Sequence, residues 1–115
     1  MNEQTQNILT LLREVPLFSG LTVEELERLS EEFVMVVLPK DEVLFRAQES
    51  TDGLFVIDTG QVALLDEDNN QLEVLKRAEV IGTEALNYLP AREKTAAALT
   101  NAQVYFLPNK QIRAL

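Results

Sequence analysis

From residue 33 onward the chain changes rhythm, and that change limits the folds open to it more than any other feature. Upstream, apolar side chains recur at helical spacing. Downstream they gather into short runs separated by turn residues: FVMVVL at 33–38, VLF at 43–45, LFVID at 54–58, QVALLD at 61–66, QLEVLK at 71–76, TAAALT at 95–100 and QVYFL at 103–107. Pro39-Lys40-Asp41, Asp52-Gly53, Thr59-Gly60 and Asp68-Asn69-Asn70 punctuate them. Runs this short cannot be helices, and their spacing is too tight for helical crossovers, so the strands must pair antiparallel. The expected class is mainly β with flanking helices, an antiparallel β-roll or jelly roll.

The upstream part reads as two helices. Over 3–14, Ile8, Leu12 and Val15 fall at i, i+4, i+7, and Pro16 stops the pattern. Over 22–32, Thr22 is a natural N-cap, Glu25 completes a capping box, and Leu21 can staple onto Leu26. Leu26, Leu29 and Phe33 mark its buried face, with the glutamates of 24–32 solvated. A short helical segment is expected at 83–88, and Pro108 suits the start of another. The chain of 115 residues is expected to form one domain, with a helical part at 1–32, a roll at 33–107 and a helix start at 108–115. The expected core includes Leu26, Leu29, Phe33, Val36, Leu44, Phe55, Ile57, Val62, Leu64, Val74, Leu86, Ala98 and Phe106.

Composition narrows function. Ten Lys and Arg against nineteen Asp and Glu give a net charge of −9, which leaves no surplus for a nucleic-acid surface. With no cysteine and no histidine, thiolate and imidazole metal sites, catalytic triads and haem ligation are excluded. Asp66, Glu67 and Asp68 lack the alternating ligands and central glycine of a calcium loop, so a solvated hairpin tip is expected there. The start MNEQTQNILTLL lacks the basic region of a signal peptide, and no apolar run is long enough to span a bilayer. The expectation is a cytoplasmic, non-enzymatic chain with no metal and no membrane insertion.

The segment 81–100 carries the candidate site. A strand ends at Ile81-Gly82, a short helix follows through Thr83-Glu84-Ala85-Leu86, and Arg92 arrives after Pro90-Ala91. Such a segment can cradle an anion: glycine admits a close backbone approach, a helix start offers N–H groups, and arginine supplies a forked cation. Two plainer readings stand beside it. Gly82 can serve only a tight turn, and Arg92 can pair with Glu84 or Glu93 at the surface.

At these residues the sequence resembles the cyclic-nucleotide-binding domain family. The likeness extends through VPLFSGLTVEELERL, GLFVIDTGQVALLD and ALTNAQVYFL, nearly the whole chain. The family's phosphate cassette reads Gly-Glu-x-Ala-Leu, then Pro-Arg-Ser/Thr-Ala. Gly82, Ala85, Leu86 and Arg92 match it. The glutamate that holds the ribose hydroxyl in the family is Thr83 here, and Glu84 comes one residue late, about 100° away on a helix. The small hydroxyl residue after the arginine is Glu93, and the next alanine is Lys94. A carboxylate roughly 5 Å from a phosphate costs about 3 kcal/mol at an effective dielectric near ~20. Loss of the ribose contact costs roughly 1.5–3 kcal/mol more. Three turn glycines of the family are replaced by Asp41, Gln48 and Ala78, which implies altered corners, and at Gln48 and Ala78 a reshaped pocket rim.

The resemblance therefore implies a regulatory domain that has lost tight cyclic-nucleotide binding and acts as an interaction or regulatory module. The alternative is a working sensor that binds a cyclic nucleotide or other small anion at Gly82, Thr83, Glu84, Ala85, Arg92 and Glu93. No cofactor is expected beyond cyclic AMP or cyclic GMP bound weakly. The partner is expected to be a protein or the rest of a larger parent protein. A homodimer through residues 3–15, with Ile112 and Leu115, would use the broad apolar face of Ile8, Leu9, Leu11, Leu12 and Val15.

Overall fold

The computed structural model describes residues 3–113. Helix α1 (Glu3–Arg13) runs into a 3₁₀ turn at Pro16–Phe18, where Pro16 both ends the helix and starts the turn. Helix α2 (Val23–Ser30) begins with the expected capping box: the Thr22 N–H donates to the Glu25 carboxylate, and the Glu25 N–H donates to Thr22 Oγ1. Eight strands follow: β1 (Val34–Leu38), β2 (Val43–Phe45), β3 (Gly53–Thr59), β4 (Val62–Leu65), β5 (Gln71–Leu75), β6 (Val80–Ile81), β7 (Thr95–Ala98) and β8 (Ala102–Pro108). Helix α3 (Asn109–Arg113) starts directly after Pro108. The expected helix at 83–88 is a single 3₁₀ turn, Thr83–Ala85.

The strands form two antiparallel four-stranded sheets. The first has the order β1-β8-β3-β6 and the second β2-β7-β4-β5. This is the expected roll: apart from the β4–β5 hairpin, which stays within the second sheet, successive strands alternate between sheets so that the chain wraps a shared interior.

Two apolar clusters lie on opposite faces of the first sheet. Phe55, Ile57, Val104, Val62, Leu75, Ile81, Ala96 and Ala98 fill the space between the sheets. Leu54, Val56, Tyr105 and Leu107 face the other way, under α1 and α2. β3 and β8 are thus covered on both faces, which explains why LFVI and VYFL read as unbroken apolar runs. Of the expected core, Val36, Leu44, Leu64, Leu86 and Phe106 are only partly buried at its margins. Val74 is a correction. Val62 faces Leu75, so the inward residues of β5 are Leu75 and Glu73, and Val74 lies on the outer face opposite Ala63. A one-residue difference in register flips the face.

A second correction concerns α1. Leu9 and Leu12 are 7% and 0% exposed, and Ile8, Leu11 and Val15 are buried with them against the roll and Phe18. The broad apolar face is spent inside the molecule, so the expected homodimer through residues 3–15 loses its basis. Ile112 is buried in the same cluster, and Leu115 lies outside the described residues. Arg77 fixes the helix from outside, donating to Glu14 on one side and to Asp58 at the end of β3 on the other.

The corners are the third. Asp41, Gln48 and Ala78 have φ of 73°, 74° and 68°. The backbone holds left-handed corners although no glycine occupies them. Each such residue carries strain of about 1–2 kcal/mol. Gln48 is exposed, and its side chain makes no hydrogen bond among the described residues. Gln48→Gly should therefore raise stability by about 0.5–1 kcal/mol in urea unfolding. A loss of stability would show that this corner is not left-handed.

Three exposed carboxyls sit below their ordinary range. Hydrogen bonds from Arg77 lower Glu14, the Thr22 N–H lowers Glu25, and the Asn70 N–H lowers Asp66. A pKa depressed by folding gives stability that is complete above the unfolded value and is lost as pH falls through the folded one. The thermal midpoint should be flat above about pH 5 and fall below it. Glu25→Gln and Asp66→Asn should each flatten that fall. A midpoint unchanged down to about pH 3 would contradict the assignment.

Candidate functional site

The site is built around Arg92. Its backbone is pinned by the turn after β2: the Gln48 N–H donates to the Arg92 carbonyl at 2.8 Å, and the Arg92 N–H donates to the Glu49 carbonyl at 2.8 Å. Thr95 Oγ1 accepts from the Ala47 N–H at 3.0 Å, and the Thr51 N–H donates to Pro90, so 46–51 and 90–95 are zipped together. This directs the Arg92 side chain into the roll, where it is 1% exposed.

A buried guanidinium requires neutralisation, and two carboxylates supply it. Nη2 donates to Asp52 Oδ1 at 2.7 Å and Nη1 to Glu84 Oε1 at 3.3 Å. The cation also lies 4.2 Å from the ring centre of Phe45 and 5.7 Å from that of Phe55. An arginine desolvated against aromatic faces gains about 2 kcal/mol from each good contact. Arg92 Nε has no hydrogen-bond partner among the described residues.

Gly82 makes this packing possible. Its φ is +85°, and a β-carbon there would fall onto Arg92 Nη1. The glycine thus admits the close approach of a side chain. The 3₁₀ turn that follows is three residues long, too short to carry the N-terminal dipole of a helix.

The turn also settles which side chain enters. Glu84 is buried and bonded to Arg92, whereas Thr83 is exposed. Glu84, set aside in the sequence as a poor substitute for the ribose-holding glutamate, faces Arg92. Pairing of Arg92 with Glu84 was one of the plainer sequence readings, but it occurs in the interior and not at the surface.

In front of this cluster lies an open cleft of about 240 Å³ between the sheets, lined by Gly82, Thr83, Glu84, Glu93 and Lys94, and by Phe45, Leu64, Glu73, Leu75 and Val80. Of the candidate residues, Gly82, Thr83, Glu84 and Glu93 line the cleft, and Arg92 packs behind Gly82. Ala85 belongs instead to the helical cluster on the far side. The sequence reading missed Asp52, Phe45, Phe55 and Glu73. Asp52-Gly53 carried only a turn signal, and nothing in the sequence links Asp52 to an arginine forty positions away. The cleft presents three carboxylates, Glu73, Glu84 and Glu93, and one ammonium, Lys94.

Among the described residues, no helix is long and apolar enough to cross a membrane. The backbone superposes on cAMP-bound PfPKA-R with a TM-score of 0.87 and 30% identity, covering 99% of this chain and 42% of that one. It also superposes on the regulatory subunit of a cAMP-independent protein kinase A from Trypanosoma brucei, with a TM-score of 0.85 and 17% identity over 93% of this chain and 39% of that one. In sequence it is 26% identical over 96 residues to an uncharacterized NTE family protein of Mycobacterium tuberculosis, covering 84% of this chain and 16% of that protein. The chain therefore spans less than half the length of each of these. Residues 35–115, from β1 onward, match the family described as the cyclic nucleotide-binding domain. With the roll, the glycine turn and the buried arginine in the same order, the chain belongs to that family.

Proposed function

We propose that this domain is a regulatory module that has lost tight cyclic-nucleotide binding and works in the cytoplasm through contact with a protein partner or the rest of a larger parent protein. One observation carries the reading: the positive charge of Arg92 is already matched by Asp52 and Glu84. An entering phosphate finds a cation with both forks engaged, and beside it Glu73 and Glu93 with only Lys94 to offset them. Like charges at this range repel by a few kcal/mol at an effective dielectric near ~20. The roll alone does not dictate the ligand response, since it occurs in a protein described as cAMP-bound and in the regulatory subunit of a kinase described as cAMP-independent. With no histidine or cysteine to activate a nucleophile, the module is a binding unit and not an enzyme.

The retained geometry favours a second reading, a sensor for a cyclic nucleotide or another small anion. The cleft is open, Gly82 keeps its left-handed turn, and Arg92 Nε is free of partners among the described residues. Gly82, Thr83, Glu84, Arg92 and Glu93 are then the residues that meet the ligand.

Calorimetric titration separates the two. Cyclic AMP and cyclic GMP should bind with Kd at or above about 100 μM. Submicromolar binding would overturn the first reading in favour of the sensor. Glu84→Gln combined with Glu93→Ser removes two negative charges from the cleft. It should tighten binding of cyclic AMP at least ~10-fold if charge alone excludes the phosphate. No change would mean that shape, not charge, closes the site.

Arg92→Met tests the packing role. It leaves Glu84 buried without its cation, which should cost about 3–5 kcal/mol of stability. Adding Glu84→Met should recover much of that loss in urea unfolding. Equal stability of the single variant and the parent chain would show that the pair is not neutralising a buried charge.

A further inference from the structure

A second open cavity, of about 170 Å³, lies between the segment after the Thr83–Ala85 turn, the loop at Thr51 and α3. It shares no lining residue with the cleft in front of Arg92. Its charge is also the reverse. Arg113 is its one charged lining residue, and among the described residues no carboxylate lines it. Although the chain carries a net charge of −9, Arg113 forms no ion pair among the described residues. Its guanidinium carbon lies 5.9 Å from the centre of the Tyr88 ring instead.

Thr51 supplies an independent observation. It lines the cavity and is 9% exposed. Its N–H donates to the Pro90 carbonyl, and its own carbonyl accepts from Asn109 Nδ2 at 2.7 Å. Only the hydroxyl is left over, buried and without a partner among the described residues. A buried hydroxyl in that state is a cost to the fold unless something bonds it. Beside it Tyr88, Leu89 and Pro90 form an apolar wall.

We propose that this cavity binds a small aromatic monocarboxylate. The carboxylate meets the Arg113 guanidinium and accepts from the Thr51 hydroxyl, and the ring lies against Tyr88, Leu89 and Pro90. A guanidinium and a hydroxyl offer only donors that an ionised carboxylate can accept. A cationic ligand would meet Arg113 with like charge. A bare phosphate would leave the apolar wall in water. The volume is below the roughly 300–1,000 Å³ of pockets for drug-sized molecules, which limits the apolar body to about one ring.

The test is calorimetric titration with benzoate at fixed ionic strength. Binding should saturate with Kd at or below about 1 mM. Benzyl alcohol keeps the ring without the charge, and inorganic phosphate keeps charge without the ring. Each should bind at least ~10-fold more weakly. Arg113→Met should weaken benzoate at least ~10-fold. Thr51→Val should weaken it at least ~5-fold and leave the ligand-free chain no less stable in urea, because the hydroxyl has no partner to lose. A merely structural hydroxyl would give the opposite pair of results, lost stability and unchanged binding. Tyr88→Gly removes the ring and relieves a φ of 55°, so it should weaken benzoate while raising stability. Lys94→Met, in the other cleft, should leave benzoate binding unchanged. A titration that fails to saturate by about 10 mM overturns the proposal, as does benzoate binding that survives Arg113→Met or Thr51→Val. Benzyl alcohol or phosphate bound as tightly as benzoate overturns the ligand class, and loss of benzoate with Lys94→Met would place it in the Arg92 cleft.

Discussion

A guanidinium buried to within 1% of complete exclusion from solvent is the constraint around which this molecule is arranged. Removing a charge from water costs several kcal/mol, so the fold must surround Arg92 with compensation or not bury it. The compensation comes from every side. Asp52 and Glu84 hold the forks, Phe45 and Phe55 present their rings, and the turn at 46–49 holds the backbone. Gly82 contributes by having no side chain in the way. These groups come from β2, β3 and the loops between β2 and β7, so one side chain ties the two sheets to the cassette.

The same arrangement sets what the cleft can accept. An arginine that serves as a structural cation is less available as an anion receptor, because its charge is already balanced where it sits. The replacement of small residues by Glu93 and Lys94 at the mouth, and the inward turn of Glu73, add to a negative lining. Under the proposed function, packing and recognition draw on one charge, and packing takes the larger share.

The corners show how a backbone path outlasts its usual residues. Asp41, Gln48 and Ala78 all hold positive φ without glycine. Each is fixed by a hydrogen bond across the roll: Asp41 N–H to Ala98, Gln48 N–H to Arg92 and Ala78 N–H to Ile57. Those bonds over-determine the local conformation, so the strain is tolerated. Sequence reasoning weighs only the intrinsic cost of a left-handed residue, and for that reason it expected different corners.

The order of elements and the class of fold were legible in the chain itself, because both are written in local patterns. Thr22 and Glu25 announce a helix start, Pro16 and Pro108 mark boundaries, and the short apolar run Leu54–Ile57 between Asp52-Gly53 and Thr59-Gly60 reads as a strand. Gly82 and Arg92 were legible as a site because glycine and arginine at that spacing are chemically distinctive. What local pattern does not contain is which face a residue meets. Leu9 and Leu12 looked like a surface for a partner until α1 was seen to lay them on the roll. Val74 exchanged places with Leu75 by one step of register, and Glu84 took the inward position, bonded to the buried Arg92. Asp52 joined Arg92 from forty residues away. Burial, register and the pairing of distant charges depend on distances between segments, and only the tertiary structure decides those.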